Sequence, residues 1–163
     1  MRKMQTNLLT TLSESRDWLT KSKVNGCICP CCGQIAKIYK RKLNSGMARE
    51  LINLYLLTVK TKEKWHHHSD FAYVSGGEIS KLTYWGLVNE MPKDHKEDKK
   101  SKTSGYWSLT GKGIMFVRNE MKVEKHVHIF DTKFYGFSDE WIGIKESLGS
   151  KFNYAELMQE KIN

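Results

Sequence analysis

All four cysteines of this chain lie within six residues, at Cys27, Cys29, Cys31 and Cys32. A disulfide framework spreads its cysteines to close loops, and this cluster closes none of useful length. The fold must therefore rest on an apolar core, on a metal at the cluster, or on both. A chain of 163 residues has room for one compact domain, or one domain with appendages. Its hydrophobic content of 39% is enough for a globular core. No apolar run approaches the roughly 18 residues that a membrane span needs. The opening MRKMQTNLLTTLSESRDWL is broken by Thr and Ser and runs into Glu14, Arg16 and Asp17. It does not read as a signal peptide, so the expected compartment is the cytoplasm, with no membrane partner.

Cysteine clusters in that compartment bind metal or carry redox chemistry more often than they cross-link. Here Cys29-Pro30-Cys31-Cys32-Gly33 reads C-P-x-C-G. Such a turn brings two thiolates onto one tetrahedral ion, with Pro fixing the entry and Gly permitting the exit. The segment resembles one half of a zinc ribbon, although the chain has no second C-x2-C. The expected cofactor is structural zinc on Cys29 and Cys32, with Cys27 as a further thiol ligand. Cys31, the triplet His66, His67 and His68, and the pair His126 and His128 stay open as further ligands. Thiols without metal, and redox or iron–sulfur chemistry, are the competing readings. Three consecutive histidines, and the stretch HVHIF, also read as ordinary strand residues.

Along the chain, Leu8, Leu9, Leu12, Trp18 and Leu19 suggest a short amphipathic helix over residues 5–20. The stretch IAKIYKRKL leaves strand and helical turn undecided. Asn44 and Ser45 are good N-caps, and Met47, Leu51, Leu54, Tyr55 and Val59 trace one face of a helix over about 45–60. Residues 64–74 read as extended or irregular. Ile79, Leu82 and Trp85 suggest a short helix that Gly86 stops. A strand follows at Leu87 to Met91, then fourteen residues, 92–105, without an apolar side chain, then a return strand at Tyr106 to Leu109. Thr110 can cap a helix reaching about Glu120, its apolar side formed by Ile114, Met115, Phe116 and Val117. HVHIF and FYGF around Asp131-Thr132-Lys133 read as a β-hairpin. Short helices are expected over 142–148 and 154–161.

The net charge of +9 is unevenly placed. Residues 1–50 carry ten Lys/Arg against three Asp/Glu, and residues 121–163 carry six against seven. A concentrated positive charge favours a polyanionic partner through counterion release.

The order helix, extended segment, short helix, strand, polar loop, strand, helix is that of a winged helix-turn-helix. The stretch Leu82-Thr83-Tyr84-Trp85-Gly86-Leu87-Val88, followed by Tyr106-Trp107-Ser108-Leu109-Thr110-Gly111-Lys112-Gly113, resembles the corresponding segment of bacterial and phage winged-helix regulators. The resemblance implies that the short helix enters a major groove and that the loop acts as a wing on phosphates. With Ile79, Leu82 and Trp85 turned inward, Ser80, Lys81, Thr83 and Tyr84 face outward, where they can reach base edges or phosphates. Lys99, Lys100 and Lys102, with Lys93 and Lys96, supply charge on the wing. Lys37, Lys40, Arg41 and Lys42 are the other expected phosphate contacts.

CPCCG, AKIYKRKLNSGMARELI, SKLTYWGLV, SGYWSLTGKG, HIFDTKFYGFS and KFNYAELM together resemble, over residues 27 to about 158, a group of bacteriophage and prophage proteins that join a CPxCG zinc knuckle to a winged helix. That group brings no established activity. It implies a phage origin and a place in the host cytoplasm. The expected fold is α+β: an N-terminal helix and knuckle over 1–44, a winged-helix domain over 45–120, and a hairpin and helix extension over 121–163. Nucleophile, P-loop, dinucleotide and H-E-x-x-H signatures are absent, and no H-N-H nuclease spacing is evident, so no enzyme and no small-molecule substrate are expected. The expected function is DNA binding in transcription or another nucleic-acid process. The alternative is a protein-binding inhibitor or adaptor acting on host machinery such as RNA polymerase or a defence complex.

Overall fold

Thr11 decides where the first helix begins. Its Oγ1 accepts from the Glu14 N–H at 3.2 Å, and Glu14 Oε2 accepts from the Thr11 N–H at 2.7 Å. This reciprocal box satisfies two of the donors that a helix start leaves open. In the computed structural model, described over residues 1–73, 78–93 and 104–160, helix α1 therefore runs Leu12–Ser22. The expected start near residue 5 is displaced, and Leu8 and Leu9 stand exposed before the box.

Next come the short strands β1 (Cys27–Ile28) and β2 (Ile35–Ala36), then β3 (Tyr39–Lys42) and helix α2 (Ser45–Thr61). Asn44 caps α2 by accepting from the Met47 N–H at 3.0 Å. Strand β4 (His66–His67) leads into a 3₁₀ turn at His68–Asp70, and a second 3₁₀ helix spans Ile79–Trp85. Strands β5 (Val88–Glu90) and β6 (Tyr106–Leu109) precede helix α3 (Gly111–Val117). Strands β7 (Val123–Glu124), β8 (His126–Phe130), β9 (Lys133–Phe137) and β10 (Trp141–Ile142) follow, and helices α4 (Ile144–Leu148) and α5 (Tyr154–Gln159) complete the order. The architecture is mixed α+β with several small sheets. Among the described residues no helix is long and apolar enough to cross a membrane.

The chain forms two compact units. The first joins Met1–Arg41 to His126–Phe137, and the second joins Lys42–Lys125 to Ser138–Asn163. These limits differ from a division at 44/45 and 120/121, because the hairpin of β8 and β9 shares a sheet, ordered β3-β8-β9, with a strand from the N-terminal segment. Such long-range pairing leaves no local signal.

In the first unit β1 and β2 pair antiparallel, Cys27 opposite Ala36, and Arg2 lies beside β1, its carbonyl accepting from the Ile28 N–H at 3.0 Å. IAKIYKRKL resolves into two strands, β2 and β3. Strands β8 and β9 meet through the two-residue turn Asp131-Thr132, whose φ angles of 49° and 60° match the right-handed twist of a hairpin.

In the second unit a three-stranded antiparallel sheet is ordered β4-β6-β5. Ile79, Leu82 and Trp85 are buried at a spacing of three, the period of a 3₁₀ rather than an α-helix. Gly86 ends that helix at φ 67°. Trp85 Nε1 donates to the Glu124 carbonyl at 2.7 Å, so even this ring's polar atom is satisfied in the core. Thr110 caps α3 by accepting from the Gly113 N–H at 2.9 Å, while its own hydroxyl donates to the Gly86 carbonyl at 2.7 Å. A Cβ at Gly113 would collide with the Leu87 carbonyl oxygen, so the second glycine of Thr110-Gly111-Lys112-Gly113 lets α3 approach the backbone before β5. Helix α3 stops at Val117, with Phe116 and Val117 buried and Met115 outward.

Candidate nucleic-acid interface and thiol knuckle

The 3₁₀ helix presents the side chains that its buried triplet leaves over. Ser80 and Thr83 are exposed, and Lys81 and Tyr84 are half-buried. Lys81 and Thr83 are engaged locally. Lys81 Nζ donates to Glu78 Oε1 at 2.7 Å, and the Thr83 hydroxyl donates to the Ser80 carbonyl at 2.6 Å. The single cation of this helix therefore carries a carboxylate beside it. Lys93 is half-buried at the start of the polar connection between β5 and β6. Lys96, Lys99, Lys100 and Lys102 lie outside the described residues. Lys37, Lys40 and Arg41 are exposed in the first unit, and Lys42 is exposed at the start of the second. The nucleic-acid residues expected from sequence thus fall into two groups, one in each unit.

The knuckle is the tip of the β1–β2 hairpin. The Cys29 N–H donates to the Gln34 carbonyl at 2.8 Å, and the Gly33 N–H donates to the Cys29 carbonyl at 2.9 Å. Gly33 takes φ 72°, which folds the turn back on itself. The backbone N–H groups of Cys32 and then Cys31 converge on the Cys29 sulfur and hold its thiol below the usual range, because a donor facing sulfur favours the thiolate. Cys31 and Cys32 are exposed. Cys27 behaves differently. It is buried, its thiol points to the Ala36 carbonyl at 3.7 Å, and burial followed by the charge of Cys29 pushes its pKa up.

Among the described residues no three His, Cys, Asp or Glu side chains converge as a complete metal shell. The histidine triplet is occupied within the second unit. His66 Nε2 lies 3.1 Å from the Glu63 carbonyl, His67 Nδ1 lies 2.8 Å from Ser69 Oγ, and His68 Nε2 lies 3.3 Å from Glu50 Oε1. His126 and His128 are half-buried on β8.

Two arrangements were not anticipated from sequence. Glu50 is a buried carboxylate on the apolar side of α2, and burial raises its pKa against the smaller lowering effect of His68. Its position three residues after Met47 and four before Leu54 is the signal that could have found it. The other is a cluster of Lys23, Phe130 and Tyr135, for which the chain offers no local signal. Lys23 Nζ donates to Tyr135 Oη at 2.6 Å and lies 4.7 and 4.5 Å from the Phe130 and Tyr135 ring centroids. Comparison with known protein families, curated proteins and solved structures returns no match.

Proposed function

We propose that this is a winged-helix DNA-binding protein of phage type, with zinc at its thiol knuckle, that regulates transcription or another nucleic-acid process. The sheet order β4-β6-β5 carries the reading. In a winged helix the strand before the exposed short helix pairs with the return strand of the wing, and that is the partner β4 takes here, His66 opposite Trp107. By its position in the sequence between β5 and β6, the polar stretch 92–105 is the wing of this reading, and Ser80, Lys81, Thr83 and Tyr84 are its groove-reading side chains.

Zinc fits the donor set of Cys29 and Cys32, two thiols on one glycine-turned C-P-x-C-G tip whose N–H groups face the Cys29 sulfur and favour its thiolate, the form a zinc ion binds. Cys27, two residues before Cys29, is the further thiol ligand this reading takes, and Cys31, between Cys29 and Cys32, stays open as another. The ion would hold the hairpin tip closed and perform no chemistry.

One observation favours a second reading, a protein-binding adaptor. The Lys81–Glu78 ion pair offsets the charge of the one cation on the 3₁₀ helix, which suits a protein surface better than a phosphate backbone. The two readings separate in a duplex titration of the zinc-quantified protein by fluorescence anisotropy across a salt series. DNA binding predicts affinity that falls steeply with salt and that Lys81→Ala with Tyr84→Ala weakens on preferred duplexes by about tenfold or more. Negligible duplex binding at physiological salt, or affinity untouched by those changes, transfers the weight to the protein partner.

A further inference from the structure

The first unit holds nine Lys/Arg against three Asp/Glu, so a net +6 of the chain's +9 sits on about a third of its length. Its three-stranded sheet sorts that charge. On one edge, β3 presents Tyr39, Lys40 and Arg41 of this unit, all exposed. On the other edge, β9 presents Phe134 and Tyr135, 50% and 42% exposed. Between them, β8 places His126, His128 and Phe130 on one side by alternation, and Phe130 pairs with Lys133 across the turn. A register shift between His128 and Ile129 brings the Tyr135 ring edge-on to Phe130, 6.2 Å between centroids. Lys23 adds its ammonium over both rings.

An aromatic edge and a cationic edge separated by one strand stand about 10 Å apart, the scale of a single nucleotide. We infer that this sheet is a second nucleic-acid site that takes single-stranded DNA, with bases stacking on Tyr135 and Phe130 and phosphates following Lys23, Lys133 and the β3 edge, where Lys40 and Arg41 alternate between the two faces. Duplex DNA hides its base faces, so a stacking surface serves unpaired strands. An acidic protein segment would answer the cations and leave the exposed rings without a partner. The inference goes beyond the winged-helix reading and does not rest on it.

The test uses the full chain and a labelled oligo-dT of about 20 nucleotides, long enough to cover one site. Tyr135→Ala is expected to weaken binding about tenfold, the loss of one stacked base, while Tyr135→Phe stays within about twofold. Lys23→Ala is expected to weaken binding and shallow the salt slope by about 0.7. Circular dichroism and the melting temperature check that each variant is folded, and duplex affinity should not move. Wild-type protein that ignores oligo-dT at low salt, or a folded Tyr135→Ala that binds it normally, overturns the site. Polyglutamate displacing oligo-dT at equal charge overturns stacking, and a strong preference for oligo-rU overturns DNA as the ligand. Loss of duplex binding with oligo-dT binding retained would sink the winged-helix reading alone.

Discussion

The two units divide stability from charge. Of 23 buried apolar side chains among the described residues, twenty belong to the second unit and three, Cys27, Ala36 and Val127, to the first. The second unit has Trp85, Phe116, Leu51, Leu54 and Leu148 in its core, each a side chain whose burial contributes about 1.5–3 kcal/mol. The first unit has the larger net charge, the exposed aromatic edge and the thiol knuckle. A segment with so few buried apolar groups depends on hairpin hydrogen bonds, cation–aromatic contacts and whatever its cysteines hold, as small scaffolds generally do. Binding surfaces can be built on such a segment because its side chains are not committed to a core.

The sharpest way to break that contrast is to delete a side chain from each unit. Trp85→Ala should cost about 4 kcal/mol, combining a large cavity with the loss of the donor to the Glu124 carbonyl. Val127→Ala, in the first unit, should cost about 1–2 kcal/mol, since it removes two methyl groups. Urea unfolding followed by tryptophan fluorescence compares them directly. Equal losses would mean that the core is shared more evenly than the burial pattern indicates.

The knuckle supplies the next test. Cys29→Ser, and separately Cys32→Ser, should abolish bound zinc and lower amide-exchange protection in β1 and β2, including the Ile28 N–H that Arg2 accepts from, leaving α2 protected. Unchanged zinc content would remove the metal from the proposal. Unchanged protection with zinc lost would leave the ion no structural part. A smaller effect of opposite sign is expected at the hairpin turn. Thr132 sits at φ 60°, where a β-branched residue is strained, so Thr132→Gly should stabilise the protein by about 1 kcal/mol. A destabilised glycine variant would show that the Thr132 side chain contributes more than its backbone strain costs.

How much of this was legible in the sequence depended on the range of the signal. Helix α2 was readable because Asn44 and the stripe from Met47 are local, and Gly86, Thr110 and the turn at Asp131-Thr132 act over a few residues. The 3₁₀ character of Ile79–Trp85 was also written in a spacing of three, but a short apolar triplet fits either helix. What stayed hidden was long-range. Nothing near Tyr39 says that β3 will pair with a strand near residue 126, and nothing near Lys23 points to Tyr135. The candidate site differs: its cations were legible as a group, and the carboxylate that answers Lys81 is Glu78, three residues before it, a local i,i+3 signal that the sequence reading passed over.

Glu50 provides the finest test, because it sets a carboxylate inside the apolar unit. Burial pushes its pKa above the ordinary glutamate range. The hydrogen bond from His68, the charge of His68 and the Tyr73 N–H pull it down, and the charge of Glu78 adds to the rise. One of its oxygens, Oε2, has no hydrogen-bond partner among the described residues. A raised folded-state pKa means that the native protein holds this proton more tightly than the unfolded chain does. The stability contributed by the protonated form is therefore complete below the ordinary glutamate pKa of about 4.3, and is lost as pH rises through the raised value. Glu50→Gln keeps an acceptor for His68 and removes the charge. The variant should be more stable than the wild type at neutral and higher pH, with the advantage shrinking as the solution is acidified. Urea unfolding at a series of pH values from about 4 to about 8 measures it. A Gln variant that is less stable at the upper end would mean that the Glu50–His68 pair outweighs the cost of burying the charge, and that even the well-packed unit relies on an ion pair.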